Sequence, residues 1–301
     1  MVAHLTNEVG FGLLDYIREN PSICGTPKYK AVSQLMLQMS LVKLSSVIKL
    51  VEQPILLFAS SAEVPYVDPM SLVSIERAIY ELLAMHHFLF IENKTNEQKD
   101  FATKVWKVSG LSNRSNIVLS GNIQARYQSK QDDELAAIES LKDEIHNSRF
   151  YKETNDKGRH KIDDSCKKLK PLFISESEGK IEIHSVTFAD ACKYLYPQNS
   201  DNSVDKFAYK LMSFQSHPSY LGILQFGQQG NAPTCYWSAT IKGAAHYCAK
   251  MIKETAMVVP EILMKLNELN SDNCNIINII GDDAIHEIHS NINNEQLVNP
   301  S

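Results

Sequence analysis

MSLVSIERAIYELLAMHHFLFI, residues 70–91, is apolar on almost every side when wound at a helical spacing. A helix of that composition has no face to give to water, so it belongs at the centre of a bundle with neighbours all around it. Its few polar groups therefore need partners. Ser74, Arg77 and Glu81 follow one another at steps of three and four and share a face. His86 projects from roughly the opposite side, and Glu76 and His87 fall on a third line.

Outward from this helix, the neighbours are read as helical too. YKAVSQLMLQMSLVKLSSVIKLVEQ, residues 29–53, repeats Lys30, Gln34, Gln38, Ser45 and Lys49 at close to helical spacing. That leaves Val32, Leu35, Met36, Met39, Val42, Val47, Leu50 and Val51 as the expected buried face. ILLFASSAEVPYV adds at most a short helix before the breaks at Pro65 and Pro69. KDFATKVWKVSGL reads as a helix ending near Gly110, and 122–148, apolar at long intervals among many charges, as one on the outside of the bundle. KETNDKGRHK reads as an exposed loop, and PLFISESEGKIEIHS as a small hairpin around Glu178 and Gly179. Thr187 is a candidate cap for FADACKYLY. The last long helix carries Ile241, Ala245, Cys248, Ile252, Val259, Ile262 and Leu266 inward, with Pro260 bending or splitting it.

The expectation is an all-α, multi-helix bundle with a small hairpin insertion. Helices are expected at 30–53, 70–91, 120–148, 203–217 and 236–270, in one domain over 1–301 with its core at about 30–270. A flexible insertion is expected at about 149–185.

A formal charge of −5, with both signs mixed along the chain, excludes the large positive field that draws a protein nonspecifically onto nucleic acid or anionic lipid. Cys24, Cys166, Cys192, Cys235, Cys248 and Cys274 have neither disulfide-scaffold nor zinc-site spacing and read as reduced thiols of a cytoplasmic protein. The first twenty residues lack the basic start and apolar run of a signal peptide, and no uninterrupted apolar 18-mer occurs, so no membrane span is expected.

Two constellations carry chemistry. Arg77 and Glu81 are either an ion pair that fixes helix register or a guanidinium held by a carboxylate so that its other donors meet a phosphate or developing oxyanion. In YKLMSFQSH, residues 209–217, Ser213 and His217 share a face that Lys206 and Lys210 continue upstream, and Pro218 stops the helix. His217 has the chemistry of a general acid or base, and Ser213 that of a nucleophile or secondary donor; the alternative is a backbone-bonded serine and a histidine capping carbonyls. No GxSxG elbow, phosphate-binding glycine loop or cofactor motif is present. Asp282, Asp283, His286 and His289 have metal-ligand side chains, but their spacing is not HExxH and their Asn-rich setting reads as exposed, so no metal is assigned.

RAIYE (77–81) inside SIERAIYELLAMHHFLF, followed by YKLMSFQSH (209–217), resembles a family of uncharacterised, mostly bacterial, all-helical proteins that is itself similar to the HEPN helical bundles. Several of those are ribonuclease toxins or act in phage defence. The resemblance runs loosely over residues 30–270 and implies that Arg77 and Glu81 lie beside Ser213 and His217 in one polar pocket. It also implies an RNA or nucleotide ligand, with Lys206 and Lys210 adding positive charge. The chain departs from the catalytic HEPN pattern, in which an arginine is followed four to six residues later by histidine; no arginine here has one at that distance. The remaining alternative is a non-catalytic scaffold, homodimeric or bound to another partner, that buries the same Arg, Glu, Ser and His groups as a satisfied network.

Overall fold

The computed structural model describes residues 1–25, 27–53, 55–59, 62–115, 121–197, 209–210, 212–213, 216, 234–273 and 275–279. In chain order the elements are α1 (Val2–Glu19), a 3-10 turn (Pro21–Cys24), α2 (Lys28–Glu52), β1 (Ile55–Ala59), β2 (Ala62–Tyr66), α3 (Pro69–His87) and a π-turn (Phe88–Glu92). They continue with α4 (Asn96–Ser115), α5 (Gly121–Asn147), α6 (Arg149–Glu153), α7 (Asp156–Lys167), β3 (Leu172–Ser177), β4 (Lys180–Ser185) and α8 (Cys192–Leu195). The last are α9 (Thr234–Val258), a 3-10 turn (Pro260–Ile262) and α10 (Leu263–Asp272). The fold is all-α with small antiparallel hairpins. The described contacts gather into two compact units, residues 1–86 with 192–301, and residues 87–191.

In the first unit α1, α2 and α9 pack against one another, with α10 on α1. α1 is a further helix, beyond those expected. Its buried line of Ala3, Thr6, Val9, Leu13, Leu14 and Ile17 has the right period, but Gly10 and Gly12 dilute the local signal. The buried face of α2 also differs from the expected one. Tyr29, Ser33, Met36, Leu37, Ser40, Leu41, Leu44, Val47 and Ile48 turn inward, while Leu35, Met39 and Val42 are about half exposed or more. The reason lies in α9. Its buried run Ala244, Ala245, Cys248 and Ala249 is small, and Ser40 fits there, donating to Leu37 O (3.0 Å) and Met251 Sδ (3.0 Å). A serine so satisfied packs close without leaving an unpaired hydroxyl. By length and composition α2 is also apolar enough to cross a membrane, a test that the core helix of a soluble protein passes equally.

The 55–66 stretch is a hairpin, Ile55 opposite Tyr66, and not the short helix expected. Pro65 lacks a donor and is incompatible with a helix interior, but a two-stranded ribbon has only edges and accepts it. Pro260 splits the last helical run as expected, ending α9 at Val258.

In the second unit α4 packs on α5 and α7, and the β3–β4 hairpin lies on α7 and the π-turn. The hairpin forms where expected, with Glu178 (φ 50°) and Gly179 (φ 75°) both left-handed at its turn. Glycine meets that conformation without steric cost. Asn93, fully buried, ends the π-turn: its Nδ2 donates to Phe88 O (2.7 Å) and its Oδ1 accepts from Ile174 N (3.1 Å) on β3. The segment expected to be a flexible insertion at 149–185 is regular structure inside this unit, and KETNDKGRHK is largely helical. Ser148 caps α6 through Tyr151 N (3.3 Å) and Asn155 caps α7 through Gly158 N (2.8 Å), while Phe150 and Ile162 are fully buried anchors. The expected 203–217 helix falls largely outside the described residues; 209–210 and 212–213 are helical.

Candidate functional site

Arg77 and Glu81 stand one turn apart on α3, where the i,i+4 spacing sets their side chains together. Arg77 Nε donates to Glu81 Oε1 at 2.8 Å, and the Tyr209 hydroxyl donates to the same oxygen at 2.9 Å. The guanidinium also lies 5.5 Å from the centroid of the Tyr209 ring. Burial works against the charge of Arg77, but the Glu81 carboxylate and the Tyr209 hydroxyl more than offset it and raise its pKa. Burial and the Glu81 charge likewise push the Tyr209 phenol up, so it stays a neutral donor. The side chains of Arg77 and Glu81 keep 19% and 28% of their exposure, so solvent reaches the pair.

The site rests on an aromatic column. Tyr209 packs on Tyr80 of α3 and Tyr80 on Tyr247 of α9, each at 5.4 Å between centroids, and Tyr80 and Tyr247 are buried. Further along the two helices Glu76 faces Gly243 and His86 meets Glu254, so α3 and α9 run in the same direction. A Cβ at position 243 would collide with Glu76 Oε1, which makes glycine the residue that lets this carboxyl lie on α9. Glu76 makes no hydrogen bond or ion pair among the described residues, and burial pushes its carboxyl up to about 8.

A second polar cluster, which no sequence motif marks, is sealed. On α9, His246, Lys250 and Glu254 recur every four residues. His246 Nε2 pairs with Tyr196 OH (3.0 Å), and Lys250 Nζ lies 3.7 Å from Glu254 Oε1. With His86 Nδ1–H donating to Glu254 Oε2 (3.3 Å), His86 Nε2 accepts from Ser33 Oγ (2.7 Å). Hydroxyl, imidazole and carboxylate stand in the order of an acyl-transfer triad. Ser33 and His86 have no exposed surface, however, and Glu254 has 3%, so no substrate reaches the hydroxyl. This cluster satisfies buried polar groups and ties α2, α3 and α9 together.

Of the residues singled out in the sequence, the structure brings Arg77 and Glu81 together and seats Tyr209, from the same segment as Ser213, on them. Ser213 is half-buried and makes no side-chain hydrogen bond among the described residues, and Lys210 is exposed. Lys206 and His217 lie outside the described residues, as do Asp282, Asp283, His286 and His289. Tyr209 was visible in the sequence as the first residue of YKLMSFQSH, four before Ser213; that its phenol meets Glu81 was not. Among the described residues no group of His, Cys, Asp or Glu is arranged to hold a metal ion. Cys166, Cys192 and Cys248 are free thiols, and burial holds Cys166 up at about 11, far from an activated nucleophile. Compared with known proteins, the chain matches no family model, no curated protein and no solved structure.

Proposed function

We propose that the chain acts on a phosphate ester of a nucleotide or nucleic acid, as a HEPN-like hydrolase or transferase in a toxin or phage-defence setting in the cytoplasm. One observation carries the reading. Arg77 is held at its Nε by Glu81 and flanked by Tyr209, yet the pair remains open to solvent, whereas the other polar cluster of the same unit is closed. A tethered guanidinium is oriented before an anion arrives, which lowers the cost of binding it and of stabilising charge that develops on it. In this reading Arg77 holds the anion, Glu81 orients it, His217 supplies acid or base, Ser213 is a secondary donor, and Lys206 and Lys210 add positive charge. RNA, single-stranded DNA and nucleotides are the substrates to screen, with the wild type beside Arg77→Ala and His217→Ala. The expected result is processing by the wild type alone; equal processing by both variants rejects the assignment.

A second reading, a non-catalytic scaffold that dimerises or binds a partner, is favoured by the fact that Glu81 Oε1 already accepts from two side chains of the protein itself, Arg77 and Tyr209. Under it, Arg77→Ala and Glu81→Ala destabilise the protein, couple strongly to each other, and no substrate emerges.

A further inference from the structure

We propose that Tyr209 is the positioning residue of the Arg77 site, fixing the Glu81 carboxylate and through it the guanidinium that meets the ligand's phosphate; this rests on Arg77 being the anion holder. Tyr209 and Arg77 converge on one oxygen of Glu81, at 2.9 and 2.8 Å. A carboxylate oxygen with two donors is pinned in the plane they define. With the phenol gone, the terminal torsion of Glu81, a broad and soft one, loses one of the two described donors that restrain it, and the carboxylate holds the Arg77 Nε–H less firmly.

The ring does separate work. It covers the guanidinium at 5.5 Å and leans on Tyr80, which leans on the buried Tyr247. The column carries the rigidity of the α3 and α9 packing out to a partly exposed arginine. Tyr209 is distant from Glu81 in sequence, 128 residues apart, so the contact exists only when Tyr209 is seated on α3. Phenylalanine keeps the ring and removes only the donor, which makes Tyr209→Phe the informative change.

The test uses the full chain and a fluorescently labelled twelve-nucleotide oligouridylate, read by anisotropy, together with solvent exchange of the Arg77 Nε–H in arginine-labelled protein. Arg77→Ala is expected to abolish binding of the oligonucleotide. Tyr209→Phe is expected to weaken it about fivefold to tenfold, the scale of one ordinary hydrogen bond felt through the carboxylate, and to speed Nε–H exchange by a similar factor. Glu81→Gln should reproduce both effects, and adding Tyr209→Phe to Glu81→Ala should change nothing further, because the phenol acts through the carboxylate. Binding lost in Arg77→Ala but unchanged in Tyr209→Phe overturns the positioning role alone. Weaker binding with unaltered Nε–H exchange overturns it too, since the phenol then touches the RNA directly. Equal binding by the wild type and Arg77→Ala overturns the anion-holder reading and this proposal with it.

Discussion

Glu76 shows how one carboxyl changes its chemistry by position. It neighbours Arg77 in sequence but points down another line of α3, onto the backbone of α9 at Gly243. Burial without a partner favours the neutral acid. The unfolded chain releases this proton near the ordinary 4.5, whereas the folded protein holds it up to about 8. The folded state therefore binds more protons across that window; the contribution to stability is complete below 4.5 and is lost as pH rises through 8. Glu76→Gln keeps a neutral side chain of the same shape. Urea melts at pH 5 and pH 8 should show the wild type losing about 3 kcal/mol more than the variant between the two. Parallel pH dependence in both proteins would contradict the burial of this group. Gly243→Ala should displace the flexible end of Glu76 and, offset by the helix propensity that alanine gains, change stability by less than about 1 kcal/mol while moving the carboxyl off α9.

At the scale of elements, what joins α2, α3 and α9 is polar as well as apolar. Ser33, His86 and Glu254 each come from a different helix and meet in the interior, with Thr255 Oγ1 also 3.5 Å from His86 Nε2. His86→Ala leaves Glu254 without its buried imidazole and is expected to cost about 3–5 kcal/mol in a denaturant melt. Replacing His86 and Glu254 together by leucine should cost less than the sum of the single changes, because neither is then left stranded. In the second unit the corresponding joint is Asn93, which ties the π-turn to β3. Asn93→Ala opens two backbone partners, Phe88 O and Ile174 N, and should lower stability by about 1–3 kcal/mol, with faster amide exchange along Leu172–Ser177.

At the scale of the whole molecule, the two units differ in how the chain builds them. Residues 87–191 are continuous in sequence, whereas the other unit is assembled from segments on both sides, 1–86 and 192–301. The continuous unit has its own aromatic core, with Phe88 stacked on Phe173 at 5.6 Å and Phe101 against Phe150 at 5.1 Å. Expressed alone, residues 87–191 should fold, giving helical circular dichroism and a single cooperative urea transition; a featureless, non-cooperative melt would show that this core is insufficient. The caps at Ser148 and Asn155 also reverse the expectation for 152–161. Limited proteolysis of the whole chain should leave KETNDKGRHK uncut while other sites are cleaved, since its backbone is hydrogen-bonded and Thr154 Oγ1 is fastened to Ile181 O at 3.2 Å.

The sequence by itself determined the helical class, the extents of α2, α3 and α9, the break at Pro260 and the turn at Glu178 and Gly179. Each is written in period, in a missing amide donor or in a backbone angle, and such effects act over a few residues. It also placed Arg77 beside Glu81, because a helix brings i and i+4 together without help. Only the tertiary structure decided which face of α2 turns inward, since that helix has apolar residues on several sides and the small side chains of α9 select the face that fits. Only the tertiary structure joined Tyr209 to Glu81 across 128 residues and His86 to Glu254 across 168. A hydrogen bond between distant residues leaves no local pattern; it exists because the packed chain leaves a buried donor one acceptor within reach.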